Sequence, residues 1–324
     1  MWVEIACDES GYEGEKLIGT TTAVFAHAGL DLDAAAAEDC MRELRERIRS
    51  PATEYKANHL LRDKHRRVLV WLLGEQAPLV GHAHVFLLDK AFYVLGKVAD
   101  LLLAAPQAAL GVGLSADGAA RQAARVLYGA RPALPAGAWS TLLHTGNDLL
   151  RVRDRQLTAE PVDRFARALD DLVAVAQDGE AAQVLAAMRA AVGRAVAFRR
   201  RLADEPESTG LLDPLLPALV AAVGWWSRDG APVLVAHDRQ TTLSPERVAQ
   251  LRRDLPALAG LGLVASSGDA RVQLADVLAG VIRKIATDEL DGAGDAELSA
   301  LVRPYLHPDA VWSDPRSWAV LTGP

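Results

Sequence analysis

Six acidic residues stand where a solvated surface charge is not the simple explanation. Asp8 and Glu9 directly follow the apolar run 2–7, at the carboxyl end of a strand, where open α/β folds place ligands. Glu54 lies in Glu54-Tyr55-Lys56, between the helix-ending Pro51 and the basic stretch 62–67. Asp89 closes Val85-Phe86-Leu87-Leu88, and Asp238 closes Val233-Leu234-Val235-Ala236. Asp276 sits within Val272-Gln273-Leu274-Ala275-Asp276-Val277-Leu278-Ala279-Gly280, an apolar stretch of helix where a charge is costly unless paired or bound to metal. Asp8, Glu54, Asp89, Asp238 and Asp276 are hard oxygen donors, the ligand type of Mg²⁺ or Mn²⁺. A pair of such ions activates a water and stabilises the leaving oxygen of a phosphodiester.

These carboxylates need a scaffold that brings distant segments together, and the hydrophobic pattern supplies one. Residues 2–7 form a short strand, broken by the turn cluster Asp8-Glu9-Ser10-Gly11. The β-rich run 17–28 is expected to pair with it as a hairpin. A helix over 33–49 carries Cys40, Leu44 and Ile48 on one stripe, with Asp33 as N-cap and Pro51 beyond its end. Residues 79–88 have the character of a central strand. From 91 to 230 the chain is Ala/Leu-rich and helical in spacing, with predicted helices at 91–105, 117–129, 138–150, 161–177, 181–203 and 212–228. Strand grammar then returns at 232–237 and 261–265. Ser244-Pro245-Glu246 marks a helix start between them, and 270–289 is a strong helix. The expected organisation is an α/β core split into 1–90 and 231–290, an all-helical insertion at 91–230, and a tail at 291–324 packed on the core.

The chain has 324 residues, half of them hydrophobic and a quarter charged, which excludes a disordered or collagen-like chain and a small disulfide scaffold. No window approaches 18 uncharged apolar residues, so neither a membrane span nor a membrane partner is expected. The first residues show no basic leader, and Cys7 and Cys40 are the only cysteines; together these predict reduced thiols and a cytoplasmic protein. A net charge of −7 runs against the basic footprint of a nucleic-acid binder, although an acidic metal cluster adds negative charge of its own. The cations are 29 Arg and 6 Lys, a composition bias more than a functional signal.

Asp8-Glu9-Ser10-Gly11 after a first strand, Glu54-Tyr55-Lys56, Leu88-Asp89-Lys90, Asp238 after a late strand, and Gln273-Leu274-Ala275-Asp276 with Ala279-Gly280 resemble the domain-of-unknown-function 3800 family. The order and spacing match from residue 2 to about 286, and the first and last motifs are the specific ones. That family looks like part of the ribonuclease H-like superfamily, which implies a mixed sheet flanked by helices on both sides. Nucleases of the superfamily place acids on the first strand, the first helix, a central strand and a late helix. The resemblance therefore implies Asp8, Glu54, Asp89 and Asp276 as catalytic metal ligands, with Asp238 an additional or alternative one. The expected function is a metal-dependent nuclease, a hydrolase acting on DNA or RNA with Mg²⁺ or Mn²⁺. The alternative is a non-catalytic interaction protein that uses the same fold and its helical insertion as a binding surface.

The remaining constellations have simpler explanations. The basic stretch 62–67, with His59 and His65 nearby, suits a solvated face, and Arg199-Arg200-Arg201 suits a helix C-terminus. His82 and His84 have strand-like metal spacing but no third His or Cys beside them. His237 adjoins Asp238 and either orients a water or points off the other side of the strand. No nucleophile elbow surrounds Ser10, and neither a Walker loop nor a Gly-x-Gly-x-x-Gly follows a strand, so nucleotide cofactors are unsupported.

Overall fold

The apolar run at the start of the chain becomes β1 (Val3–Ser10), the middle strand of a five-stranded mixed sheet of order β3-β2-β1-β4-β5. The computed structural model describes all residues except 1, 50–55, 106, 152–159, 205–209, 228–229 and 324. β2 (Val24–Leu30) pairs antiparallel with β1, and β3 (Ala83–Asp89) pairs antiparallel with β2. On the other side, β4 (Val233–Asp238) pairs parallel with β1, and β5 (Leu258–Val264) pairs parallel with β4. Sheet neighbours β1 and β4 are thus more than two hundred residues apart in the chain. Ile5, Ala6 and Cys7 are fully buried because both faces of the sheet are covered.

The helices divide between the two faces. Between β2 and β3 come α1 (Ala34–Ile48), α2 (Ala57–Leu60) and α3 (Arg66–Leu73). Asp33 caps α1, accepting from the Ala36 amide at 2.8 Å. Between β3 and β4 the described residues hold only helices: α4 (Lys90–Leu103), α5 (Gly118–Ala130), α6 (Ala136–Leu150), α7 (Glu160–Val175), α8 (Glu180–Ala190), α9 (Gly193–Asp204) and α10 (Leu215–Trp226). α11 (Pro245–Asp254) joins β4 to β5, with Ser244 as its N-cap and Pro245 at its first position. α12 (Ala270–Leu290), α13 (Ala296–Val302) and α14 (Pro315–Thr322) complete the chain.

Strand alternation sorts the core. Ile5, Cys7, Phe25, Phe86, Leu88, Val233 and Val235 pack with the helices of the β3–β4 connection. The opposite face carries Ala26, Ala28, Leu30, Val85 and Leu87, which pack against α12, α1 and α3. Small residues at Ala6, Ala26 and Ala28 let α12 lie close across β1 and β2. Leu274, Val277, Leu278, Val281, Ile282 and Ile285 bury that helix, each contributing about 1.5–3 kcal/mol of hydrophobic stabilisation. The tail covers the free edge of β3: Val311 and His307 donate to the Leu87 and Val85 carbonyls, and Asp89 donates to the Val311 carbonyl, each at 2.9 Å. No single described helix is long and apolar enough to cross a membrane.

Candidate metal centre

β1, β4 and α12 bring three of the sequence-identified carboxylates to one place. The register pairs Cys7 with His237, so Asp8 and Asp238 are level on neighbouring strands. Alternation turns both toward the face that α12 covers, where strand neighbours stand about 5 Å apart. Asp276, in the second turn of α12, approaches from above the sheet.

The electrostatics record this convergence. Asp8 is only 6 % exposed. Its carboxyl is pushed up to about 8, first by burial, then by the charges of Glu9, Asp276 and Asp238. A bond from the Glu9 amide, 2.7 Å long, opposes the shift without cancelling it. Asp238 Oδ1 accepts from the Ser266 amide at 3.0 Å, which ties the end of β4 to the turn entering α12. Asp276 Oδ2 accepts from Lys56 Nζ at 2.9 Å.

Asp89 does not join them. It pairs with Val24, whereas Asp8 pairs with Ala28, so Asp89 lies two strands away and about 13 Å further along the sheet. Its carboxylate caps α4, accepting from the Ala91 and Phe92 amides at 2.9 and 3.1 Å, and it takes a hydrogen bond from the Tyr128 hydroxyl. At 1 % exposure, with those bonds made, Asp89 caps α4, and the fold does not bring it to the other expected ligands. Glu54 lies outside the described residues.

Across the sheet from Asp8 is a second polar group, built on Glu9 and His237. Glu9 Oε1 accepts from Gln240 Nε2 at 2.5 Å, and its Oε2 lies 3.6 Å from His237 Nε2. Burial, with smaller contributions from Asp238 and Asp213, pushes the Glu9 carboxyl up to about 7. His237 Nδ1 lies 2.9 Å from the Asp238 carbonyl, which cannot donate, so Nδ1 carries the proton. His237 Nε2 then accepts from His27 Nε2, 3.2 Å away. Burial holds both imidazoles below their usual range, hence neutral. Glu9 and His237 were visible beside Asp8 and Asp238 in the sequence; His27 and Gln240 carried no signal of their own. The other histidine pair is structural: His84 Nδ1 accepts from Trp226 Nε1 at 2.8 Å, while His82 pairs with Asp31.

The three clustered donors are all carboxylate oxygens, and the field they impose on Asp8 is one a hard cation would relieve. In kind they fit Mg²⁺ or Mn²⁺. Among the described residues no three His, Cys, Asp or Glu side chains already stand in chelating geometry, and the cation at Asp276 is Lys56. Comparison with known proteins found no matching family model, no matching curated protein and no matching solved structure.

Proposed function

We propose that this chain is a metal-dependent nuclease of ribonuclease H-like fold, cleaving phosphodiester bonds of DNA or RNA at Asp8, Asp238 and Asp276. The observation that carries this reading is the convergence of those three carboxylates from β1, β4 and α12, where the charges of Asp276 and Asp238 add to the effect of burial on the Asp8 carboxyl. The mixed sheet with helices on both faces, and acids on its first strand and a late helix, supports the fold assignment. The resemblance to the domain-of-unknown-function 3800 family supports it too, and adds Glu54 to the ligand set.

In this reading Asp8 binds at the centre, with Asp238 beside it and Asp276 facing both. The bond from the Ser266 amide orients Asp238. A bound Mg²⁺ or Mn²⁺ would supply a Lewis acid to the phosphodiester oxygens and lower the pKa of the attacking water. Lys56, whose side chain is 62 % exposed, would be displaced from Asp276 by the ion or share that carboxylate with it.

The test is cleavage of labelled single- and double-stranded DNA, RNA and hybrid substrates with Mg²⁺, Mn²⁺ or EDTA. Cation-dependent cleavage, abolished by Asp8→Asn and by Asp276→Asn in folded protein, is the expected result. Cleavage that survives both substitutions would place the site elsewhere. Mn²⁺ binding with no cleavage of any substrate would favour a non-catalytic interaction protein.

A further inference from the structure

Beyond the end of β1, on the same face of α12 as Asp276, the structure gathers positive charge. Arg283 is seven residues after Asp276, two helical turns and about 10 Å along the axis. Its Nε donates to Ser10 Oγ at 2.9 Å. It forms no ion pair among the described residues, although it is half-buried. Beside it is Lys90, 1 % exposed, whose Nζ donates to Thr22 Oγ1 at 2.8 Å and Thr20 Oγ1 at 3.2 Å. Glu13 is its nearest carboxylate, at 3.7 Å, and is already engaged with the Thr21 amide and hydroxyl. Glu13 balances only Lys90, and Asp288, whose charge acts on Arg283, is itself held by Lys284, so the group keeps net positive charge in a place that burial makes expensive.

The backbone below is shaped for close approach. Gly11 has φ +81°, and a Cβ there would stand 2.5 Å from the Val24 carbonyl and 2.8 Å from Arg283 Cδ. The absent side chain is what lets Arg283 fold down over the turn. Ser10 Oγ and Thr22 Oγ1 each accept a bond from a cation, so their own protons are available to donate. Hydroxyl donors grouped around a guanidinium match the oxygens of a phosphate.

We propose that Arg283, backed by Lys90 and flanked by the Ser10 and Thr22 hydroxyls, is an anion subsite for a backbone phosphate of a nucleic-acid strand, close along the strand to the bond held at Asp8. This rests on the nuclease reading for the identity of the strand. In it, the turn after β1 has two jobs: Asp8 faces the scissile phosphate, and Ser10-Gly11 seats the residue that grips a neighbouring one. The arrangement would also reconcile strand binding with a net charge of −7, since the positive charge is local to this turn.

The experiment compares wild type, Arg283→Ala, Arg283→Gln and Arg283→Lys as full chains. Fluorescence anisotropy reads the affinity for labelled single-stranded DNA and RNA in Ca²⁺ over a series of salt concentrations. Thermal melts with Mn²⁺, and separately with inorganic phosphate, run in parallel. Arg283→Ala and Arg283→Gln are expected to weaken strand binding about tenfold, whatever the sequence. They should also reduce the salt slope by about 0.7, the signature of one lost phosphate contact. Arg283→Lys should recover most of the slope, and the Mn²⁺ shift should persist in all three. An unchanged slope in Arg283→Ala with an intact Mn²⁺ shift would overturn the subsite and leave the nuclease reading standing. A wild type with no Mn²⁺ shift but an Arg283-dependent slope would do the reverse. Wild type that binds no strand, or loses only its response to inorganic phosphate on substitution, would overturn the strand assignment.

Discussion

Lys56 Nζ sits 2.9 Å from Asp276 Oδ2, so one of the three clustered carboxylates is already held by a cation of the chain itself. The pair is lopsided, with Lys56 62 % exposed and Asp276 23 %. An ion pair this wet contributes about 0–1 kcal/mol to folding. Its consequence is competition: a divalent ion must displace Lys56 or share Asp276 with it. Lys56→Met is therefore expected to tighten Mn²⁺ binding severalfold while moving the melting temperature in EDTA very little. Isothermal titration with Mn²⁺ reads the first and a thermal melt the second. Weaker Mn²⁺ binding in the variant would mean that Lys56 positions a ligand.

The raised carboxyls impose a pH dependence whose sign is fixed. Asp8, Glu9 and Asp213 are pushed up to about 8, 7 and 6, all chiefly by burial. An acid with a folded pKa above its unfolded value contributes stability that is lost as pH rises toward the folded value. Below pH 6.5 the buried neutral imidazoles of His27 and His237 oppose this trend, because the unfolded chain protonates them more readily. Between pH 6.5 and 8 the acids dominate, opposed only in part by Lys90 and Lys97, which burial holds down to about 8. In EDTA the protein should lose stability across that window, by about 2 kcal/mol from Asp8 at roughly 1.4 kcal/mol per unit. Asp8→Asn should remove most of the slope in thermal melts, and saturating Mn²⁺ should do the same in wild type. A slope unaltered by Asp8→Asn would show that the strain resides elsewhere.

Asp89 has a different fate. Removing its carboxylate uncaps α4 and leaves Tyr128 without its acceptor. Asp89→Ala is expected to cost about 2–4 kcal/mol in urea unfolding, from a lost cap and a broken buried hydrogen bond. Asp89→Asn keeps an oxygen for the cap and should cost less. Both variants should keep the Mn²⁺ shift of wild type. Loss of that shift in a folded Asp89 variant would return Asp89 to the metal centre.

Asp89 also shows what a sequence can and cannot disclose. An aspartate closing an apolar strand reads the same whether it faces a ligand or caps the helix that follows, and Lys90-Ala91-Phe92 begins a helix at once. The strand at 83–89 was legible because burial on both faces demands an unbroken apolar run, and those at 3–10 and 233–238 because each carries a short run of strand formers. Asp276 stood out because it is the sole charge between Arg271 and Arg283. Arg283 did not, since its meaning depends on Lys90 and Ser10, which meet it only in the fold. The stretch read as one helix over 181–203 is two, α8 and α9, with the break at Ala191-Val192 directly before Gly193. Glu54, central to the resemblance, lies outside the described residues.

The approach of α2 to α12 supplies the last prediction. Gly280 is one turn from Asp276, and a Cβ placed on it would stand 2.5 Å from the Ala57 Cβ, closer than real atoms come. Ala57 follows Lys56 directly, so this contact sets where the chain carrying Lys56 runs past the carboxylates. In an isolated helix Gly→Ala would stabilise by about 1 kcal/mol. Here the added methyl must push α2 away, and overpacking of this kind costs about 1–3 kcal/mol. Gly280→Ala is therefore expected to be neutral or destabilising despite its better helix propensity, and to alter Mn²⁺ affinity by displacing the segment next to Asp276. Ala57→Gly removes the opposing methyl. In the double variant the helix gain should reappear and the Mn²⁺ response should return to that of Ala57→Gly alone. A double-mutant cycle on urea unfolding gives the coupling, expected at about 1 kcal/mol or more. Additive effects would mean that α2 yields freely and that Gly280 does not position it.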